Sequence, residues 1–268
     1  MNWFDKNDNT PPVISAKSHI SSSHGNKETP KVPPTCLIFE MGMAMAHLET
    51  AFAARTLMER LPCFLENPKY LDIADMEGVC FTRGGYGAPA AVDTLETLLA
   101  LGAKQIIIAG MCGVFSEHAV VGDVVIPHKI YSEEGTSQHY VENHACSIPD
   151  QALYESAVHF FDGKFPLHTN ATISSDAIYR QTYYKEALWR QNGCIGVDME
   201  ASALLCVSRY YGVPAVCLLL ASDKHPLSEN SPDWEWGGKA FGDARMRFVD
   251  TCVAFARHCA QNNPQVSD

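Results

Sequence analysis

Two carboxylates, Glu200 and Asp223, stand where an apolar run gives way to a polar turn, so that a ligand can reach them and exchange hydrogen bonds or protons with them. Both belong to the stretch from Cys194 to His225, CIGVDMEASALLCVSRYYGVPAVCLLLASDKH. Cys194 to Val197 is short and mostly apolar, as a buried strand should be, and Glu200 opens a run of good helix formers that continues to Tyr211. Gly212 stops that helix and Pro214 prevents its restart. Ala215 to Leu220 is again apolar throughout, which suits a central strand covered on both faces. The change of polarity at Ser222, Asp223, Lys224 and His225 marks its expected exit. In open α/β sheets ligands bind at the carboxyl ends of strands, which places Glu200 and Asp223 near one crevice.

The elements around this stretch alternate in the same way. Met1 to Pro34 is rich in Ser, Asn, Lys and Pro and poor in large apolar residues, so it is expected to be a flexible arm; His19 and His24 lie in it. Cys36 to Phe39 is expected as a first strand, the turn Glu40-Met41-Gly42 follows, and a helix is expected from Ala44 to Arg60, ending before Pro62. Gly78 to Thr82 is a second strand, leading through Gly84-Gly85-Tyr86-Gly87 into a helix over Pro89 to Leu101. A glycine turn at a helix N-terminus can cradle an anion on its backbone amides, or it can be a tight turn that needs glycines for its own geometry. The spacing fits neither GxGxxG nor GxxxxGK[ST]. Further strands are expected at Lys104 to Ala109, around Val120 to Ile126, and at Thr169 to Ser174. Helices are expected over Gln151 to Phe161 and Tyr183 to Gln191. A last amphipathic one over Lys239 to Gln261 carries Phe241, Ala244, Phe248, Cys252, Phe255 and Cys259 on one stripe.

Composition narrows the function. A net charge of -11, without a basic run, argues against a nucleic-acid surface. No stretch approaches the ~20 apolar residues of a membrane span, and the first residues lack the basic-then-apolar pattern of a secretion signal, so the expected compartment is the cytoplasm. The ten cysteines show no CxxC spacing and sit mostly in apolar runs, which predicts buried free thiols and no metal site.

Four separated stretches, in this order, resemble the nucleoside phosphorylase superfamily of purine and uridine phosphorylases and related nucleosidases. They are Ile107 to Gly113 (IIAGMCG), Val121 to Ile126 (VGDVVI), Ser174-Ser175-Asp176, and Gly196 to Ala201 (GVDMEA) with Ser222-Asp223 downstream. The resemblance implies an α/β fold: one domain over residues 35–262, between tails at 1–34 and 263–268, with a mixed, partly barrel-like central sheet flanked by helices. It implies cleavage of a ribose N-glycosidic bond, no cofactor beyond phosphate as a co-substrate, a small-molecule nucleoside as partner, and a homo-oligomer (dimer, trimer or hexamer).

On the same ground Asp223 is the acid that protonates the departing base, kept protonated by burial beside a second carboxylate. Glu200 takes the ribose hydroxyls, and Met199 packs on the sugar. Ser222, His139, Ile178, Tyr179, Val197 and Gly113 complete the substrate site, and Glu40 stands in the first-strand loop without one fixed role. Gly42, Arg83, Gly84 and Gly85 are the candidate anion site. This chain departs from the phosphorylase pattern in reading Ile108 and Met43 where phosphate-binding arginines are expected, and Met111 in place of a small hydroxyl residue. Phosphate or water therefore remains open as the acceptor, as does a catalytically silent nucleoside-binding or storage role. An acid at Asp223 favours purine over uracil.

Overall fold

The computed structural model describes residues 8–22, 30–52, 54–65, 70–73, 78–231 and 234–262. Its first half runs α1 (Ala16–Ile20), β1 (Thr35–Phe39), α2 (Ala44–Ala51), β2 (Arg55–Met58), β3 (Tyr70–Asp72), β4 (Val79–Arg83), α3 (Ala88–Ala100) and β5 (Gln105–Val114). There follow β6 (Val124–Val125), β7 (Ile130–Glu133), β8 (Cys146–Ser147), α4 (Gln151–Phe161), β9 (Leu167–His168), β10 (Ala171–Ser175) and α5 (Tyr183–Gln191). The chain closes with β11 (Cys194–Asp198), α6 (Ala201–Tyr210), β12 (Ala215–Lys224), β13 (Glu235–Trp236) and α7 (Gly238–Asn262).

All the strands join one mixed sheet that forks at β5. The run QIIIAGMCGV is buried on both faces except at Met111, so its backbone must be paired on both sides to satisfy every amide. β12 runs parallel along one side for the whole length. On the other side β1 runs parallel only as far as Phe39, opposite Ala109. β11 then takes over in the antiparallel sense, with Val197 opposite Gly113 and Gly196 opposite Val114. The carboxyl ends of β1 and β11 therefore approach each other head-on beside Gly110 to Cys112. β4, β3 and β2 extend the sheet beyond β1, and β10, β7 and β8 extend it beyond β11.

Helices cover both faces. Ile106 and Ile108 of β5 pack in one core cluster with Leu95 and Leu98 of α3 and Leu204 and Val207 of α6. Ile107 and Ala109 face the other cluster, with Phe161 of α4 and Phe248 and Phe255 of α7. Each such Leu, Ile, Val or Phe side chain contributes about 1.5–3 kcal/mol by burial. The expected α7 stripe is buried at all six positions.

Several elements differ from expectation. The helix expected to reach Arg60 ends at Ala51, because Arg55–Met58 pairs with β3 and Arg55 Nη2 meets Asp72 Oδ2 at 2.9 Å, so edge pairing overrides local helix propensity. β5 and β12 run through Gly110 to Gly113 and through Ser222 to Lys224, since each ladder holds the other extended, with a register shift between Ala221 and Asp223. β7 was not expected, and the strand around Val120 to Ile126 shrinks to two residues. Within the arm expected to be flexible, Ser15 caps α1, Ile20 packs on the core and the His19 ring lies 5.3 Å from Phe64. His24 and residues 263–268 lie outside the described residues. All ten cysteines are free thiols, nine of them buried and Cys146 partly exposed. No helix among the described residues is long and apolar enough to cross a membrane.

Candidate active site

The head-on meeting of β1 and β11 brings three carboxyl groups together. Glu40 follows β1, its amide donating to Ala109 O at 2.9 Å. Asp198 ends β11 and Glu200 precedes α6. Asp198 Oδ1 accepts from Ser174 Oγ (2.7 Å) and from the amides of Glu200 (2.9 Å) and Ala201 (2.8 Å), so it holds the α6 N-terminus and orients Glu200. Glu200 Oε1 accepts from the Gly87 amide at 2.7 Å, at the start of α3. Neither oxygen of the buried Glu40 has a hydrogen-bond partner among the described residues, and Asp198 Oδ2 has none either. No group of three or more His, Cys, Asp or Glu among the described residues is placed to hold a metal.

Burial and mutual repulsion tune this cluster. Desolvation, then the Glu200 charge, pushes Glu40 well above the usual carboxylate range, and Arg83 offsets part of that. Glu200 is pushed up to about 8 by burial and then by Asp198. Asp198 is pushed up to about 6 by burial, against its three donors. At neutral pH the Glu40–Glu200 pair therefore retains a proton. The native state holds protons that the unfolded chain has released, so this stability is complete below the ordinary pKa values and is lost as pH rises through about 6 and 8. Denaturant midpoints should accordingly fall between about pH 5 and pH 8.5, and Glu200→Gln should flatten that decline.

The glycine turn is now explained. The Gly84 amide donates to Phe39 O at 2.9 Å, and a Cβ at Gly84 would overlap the Glu40 carboxylate. A Cβ at Gly85 would overlap Ala90, and Gly87 has φ 81°, in the left-handed region. The helix N-terminus does hold a carboxyl group, but that group is Glu200 of the same chain. Of the amides in this turn, that of Gly84 is thus taken by Phe39 O and that of Gly87 by Glu200. Arg83 and Gly42 do come together: a Cβ on Gly42 would lie 3.6 Å from Arg83 Nη2, and the guanidinium sits 5.1 Å above the Tyr86 ring. Gly84→Ala should cost about 1–3 kcal/mol by overpacking against Glu40, read as a lower denaturation midpoint.

Asp223 stands across β5, opposite Gly113. Its Oδ1 accepts from Ser222 Oγ at 2.6 Å, and its Oδ2 accepts from Trp234 Nε1 at 2.7 Å and lies 3.2 Å from His225 Nε2. Burial alone would raise its pKa, but hydrogen bonds from His225, Ser222 and Trp234 outweigh burial and lower it. This corrects the expectation that a neighbouring carboxylate keeps Asp223 protonated: its neighbour is an imidazole. His225 in turn places Nδ1 2.7 Å from Glu186 Oε1.

Other expected contacts separate from the site. Val197 packs into a small core cluster with Phe115, Ile173 and Trp189. Gly113 is covered by His225 and Asp223, leaving no open glycine surface for a ligand. Met199 is half-buried beside Glu200. Ile178 is half-exposed, Tyr179 is 97% exposed and His139 is exposed at the end of a 3₁₀ turn, so this chain alone does not enclose a ligand with them. Ile108 is core, and Met43 is exposed with Arg245 Nη1 2.9 Å from its sulfur.

Asp198, Glu186, His225 and Trp234 were not singled out by the sequence. His225 had a signal, because residues two apart on a strand share a face and the strand reaches Lys224. Glu186 and Trp234 had none, since only folding brings them to this place.

A forked mixed sheet with carboxyl groups at converging strand ends defines an α/β enzyme-like fold. The chain matches the phosphorylase superfamily over residues 69–257, and it belongs to that family. It is 29% identical over 138 residues to a guanosine phosphorylase of Halorubrum lacusprofundi, a match spanning 51% of this chain and 56% of that relative. Among solved structures, the purine nucleoside phosphorylase of Toxoplasma gondii in complex with immucillin-H superposes with a TM-score of 0.75 at 17% identity, covering 95% of this chain and all of the other. An AMP nucleosidase from Bacteroides thetaiotaomicron superposes with a TM-score of 0.66 at 19% identity, covering 86% and 91%.

Proposed function

We propose that the chain cleaves the N-glycosidic bond of nucleosides, purine nucleosides preferred, with water as the acceptor. The domain that does this spans 35–262, between tails at 1–34 and 263–268. The observation that carries the reading is the Glu40 carboxyl group, buried and without a hydrogen-bond partner among the described residues beside Glu200 where β1 and β11 meet. A phosphate dianion there would face three buried carboxyl groups, and the α3 N-terminus is already taken by Glu200. A water molecule carries no charge and can donate to Glu40.

In this reading Glu200 accepts hydrogen bonds from the ribose hydroxyls and Met199 packs on the sugar. As the C1′–N bond breaks, its electron pair leaves with the base, which takes through Asp223 the proton that Asp223 shares with His225. Water adds to C1′ and gives its proton to the ionised member of the Glu40–Glu200 pair, which holds one proton between its two carboxyl groups. The products are free base and free ribose, and each proton transfer is worth ~10²- to 10⁴-fold. The guanosine phosphorylase relative supports a nucleoside substrate, and the fold shared with an AMP nucleosidase fits water as acceptor.

One observation favours phosphorolysis instead: Arg83 lies against Gly42 at the same crevice, as a counter-charge for phosphate. Base release from inosine, guanosine, adenosine and uridine, with and without phosphate, separates the two when ribose and ribose 1-phosphate are both assayed. Free ribose without phosphate is expected. Phosphate-dependent ribose 1-phosphate would replace the reading with phosphorolysis, and no release from any substrate would leave a nucleoside-binding role. The exposed Tyr179 and His139 fit a homo-oligomer in a cytoplasmic setting, with a neighbouring copy closing the site; a monomeric mass by light scattering would overturn that.

A further inference from the structure

We propose that His225, clamped between Asp223 and Glu186, is the positioning residue that supplies Asp223 with the proton it gives to the leaving base. The inference rests on the acid role of Asp223 proposed above.

The geometry carries it. His225 follows β12, and its amide donates to Val114 O at 2.8 Å, which fixes the backbone. The ring is mostly buried, with Nδ1 2.7 Å from Glu186 Oε1 and Nε2 3.2 Å from Asp223 Oδ2. An ionised carboxylate only accepts, so a carboxylate at each ring nitrogen demands a donor at each. Either the ring is doubly protonated, or the second proton lies on Asp223 and points at Nε2. Both arrangements put one proton on the link between His225 and Asp223. Gly113 keeps that link possible, because a Cβ there would overlap Nε2.

The other groups around the ring leave this arrangement intact. From α5, Glu186 is buried and its Oε2 lies 3.9 Å from Arg190 Nη1. From β12, the Lys224 ammonium turns away to the carbonyls of Ser116 and Ala119. Phe115 lies beside the ring at 6.3 Å, and Trp234 donates to the same Asp223 oxygen. Burial opposes a charged ring, but hydrogen bonds to Asp223 and Glu186 and their charges outweigh it and push His225 up to about 9.

The single proton of the link passes from His225 Nε2 to Asp223 and from Asp223 to the base as the glycosidic electron pair leaves, and the neutral ring keeps Nδ1–H on Glu186. Solvent returns the proton, and a route exists: Arg190, against Glu186, also lines a cavity of about 450 Å³ with Ser116, His118, Asn170 and Leu227.

The test compares His225→Gln and Glu186→Gln on inosine or guanosine and on p-nitrophenyl riboside, whose leaving group needs no protonation. His225→Gln should lower kcat on the nucleoside ~10²-fold with little change in KM, leave nitrophenyl riboside turnover within about threefold, and abolish the alkaline limb expected near pH 9. Glu186→Gln should keep the limb but move it to lower pH. Equal losses on both substrates, or an unchanged limb, would overturn the proposal. Ring-nitrogen NMR of the wild-type protein decides the matter without turnover. Titration of His225 above about pH 8, falling toward the ordinary value in Asp223→Asn, supports the relay, and titration near about 6.5 in the wild type overturns it. A wild type that releases no base but titrates as expected would sink the acid reading and leave the proton link standing.

Discussion

Asp223→Asn should slow base release from natural nucleosides by ~10²- to 10⁴-fold while the protein stays folded. The amide has no proton acidic enough to give to a departing purine. It also turns a group that only accepts into one that accepts at one atom and donates at the other. Oδ2 now receives Trp234 Nε1 at 2.7 Å and faces His225 Nε2. If the new NH₂ takes that place, it meets the indole N–H head-on, and if it takes the other it meets the Ser222 hydroxyl, which can rotate to accept. The tolerated orientation keeps the carbonyl toward Trp234, so folding survives and the proton is what goes missing. His225 loses a charged partner as well and should titrate lower. Steady-state kinetics with a denaturation curve for each variant checks both halves, and turnover within a few-fold of wild type would remove Asp223 from the mechanism.

Glu40→Gln should give the other large effect, a ~10²- to 10⁴-fold loss of hydrolysis with KM nearly unchanged and no loss of stability. The usual cost of removing a buried charge is absent here. Glu40 has no hydrogen-bond partner to strand among the described residues and is held above its ordinary pKa by burial and by Glu200. A neutral amide of the same shape removes that repulsion, so Glu200 should titrate lower and the denaturation midpoint near neutral pH should hold or rise. Lost activity with kept stability is the signature of a group retained for chemistry rather than for folding. If turnover in Glu40→Gln stays near wild type and depends on phosphate, the acceptor is phosphate and Arg83 becomes the group to study.

Much of the scaffold was legible because periodicity and breakers report local structure directly. α3, α4, α5, α6 and α7 fall close to where capping residues, glycines and apolar spacing put them. β5 and β12 were found but drawn too short, since the expected strands stop at Ala109 and Leu220, and Gly110 to Gly113 and Ser222 to Lys224 become strand only because each pairs with the other. β2 was read as helix for the same reason, its own propensity losing to an edge partner.

The sequence by itself determined the element order, the two helical covers of an apolar sheet, and the identity of Glu200 and Asp223 as carboxylates at strand ends. These follow from side-chain type and spacing along one chain. Tertiary structure alone decided what those carboxylates meet. It set β1 against β11 so that Glu40 and Asp198 crowd Glu200, filled the glycine turn with the chain's own carboxylate, and gave Asp223 an imidazole backed by Glu186. Protonation depends on neighbours within a few ångströms; His225 and Asp198 lie two residues from Asp223 and Glu200, but Glu186 reaches His225 from 39 positions away, Gly87 reaches Glu200 from 113 and Glu40 from 160, so no local pattern encodes the set.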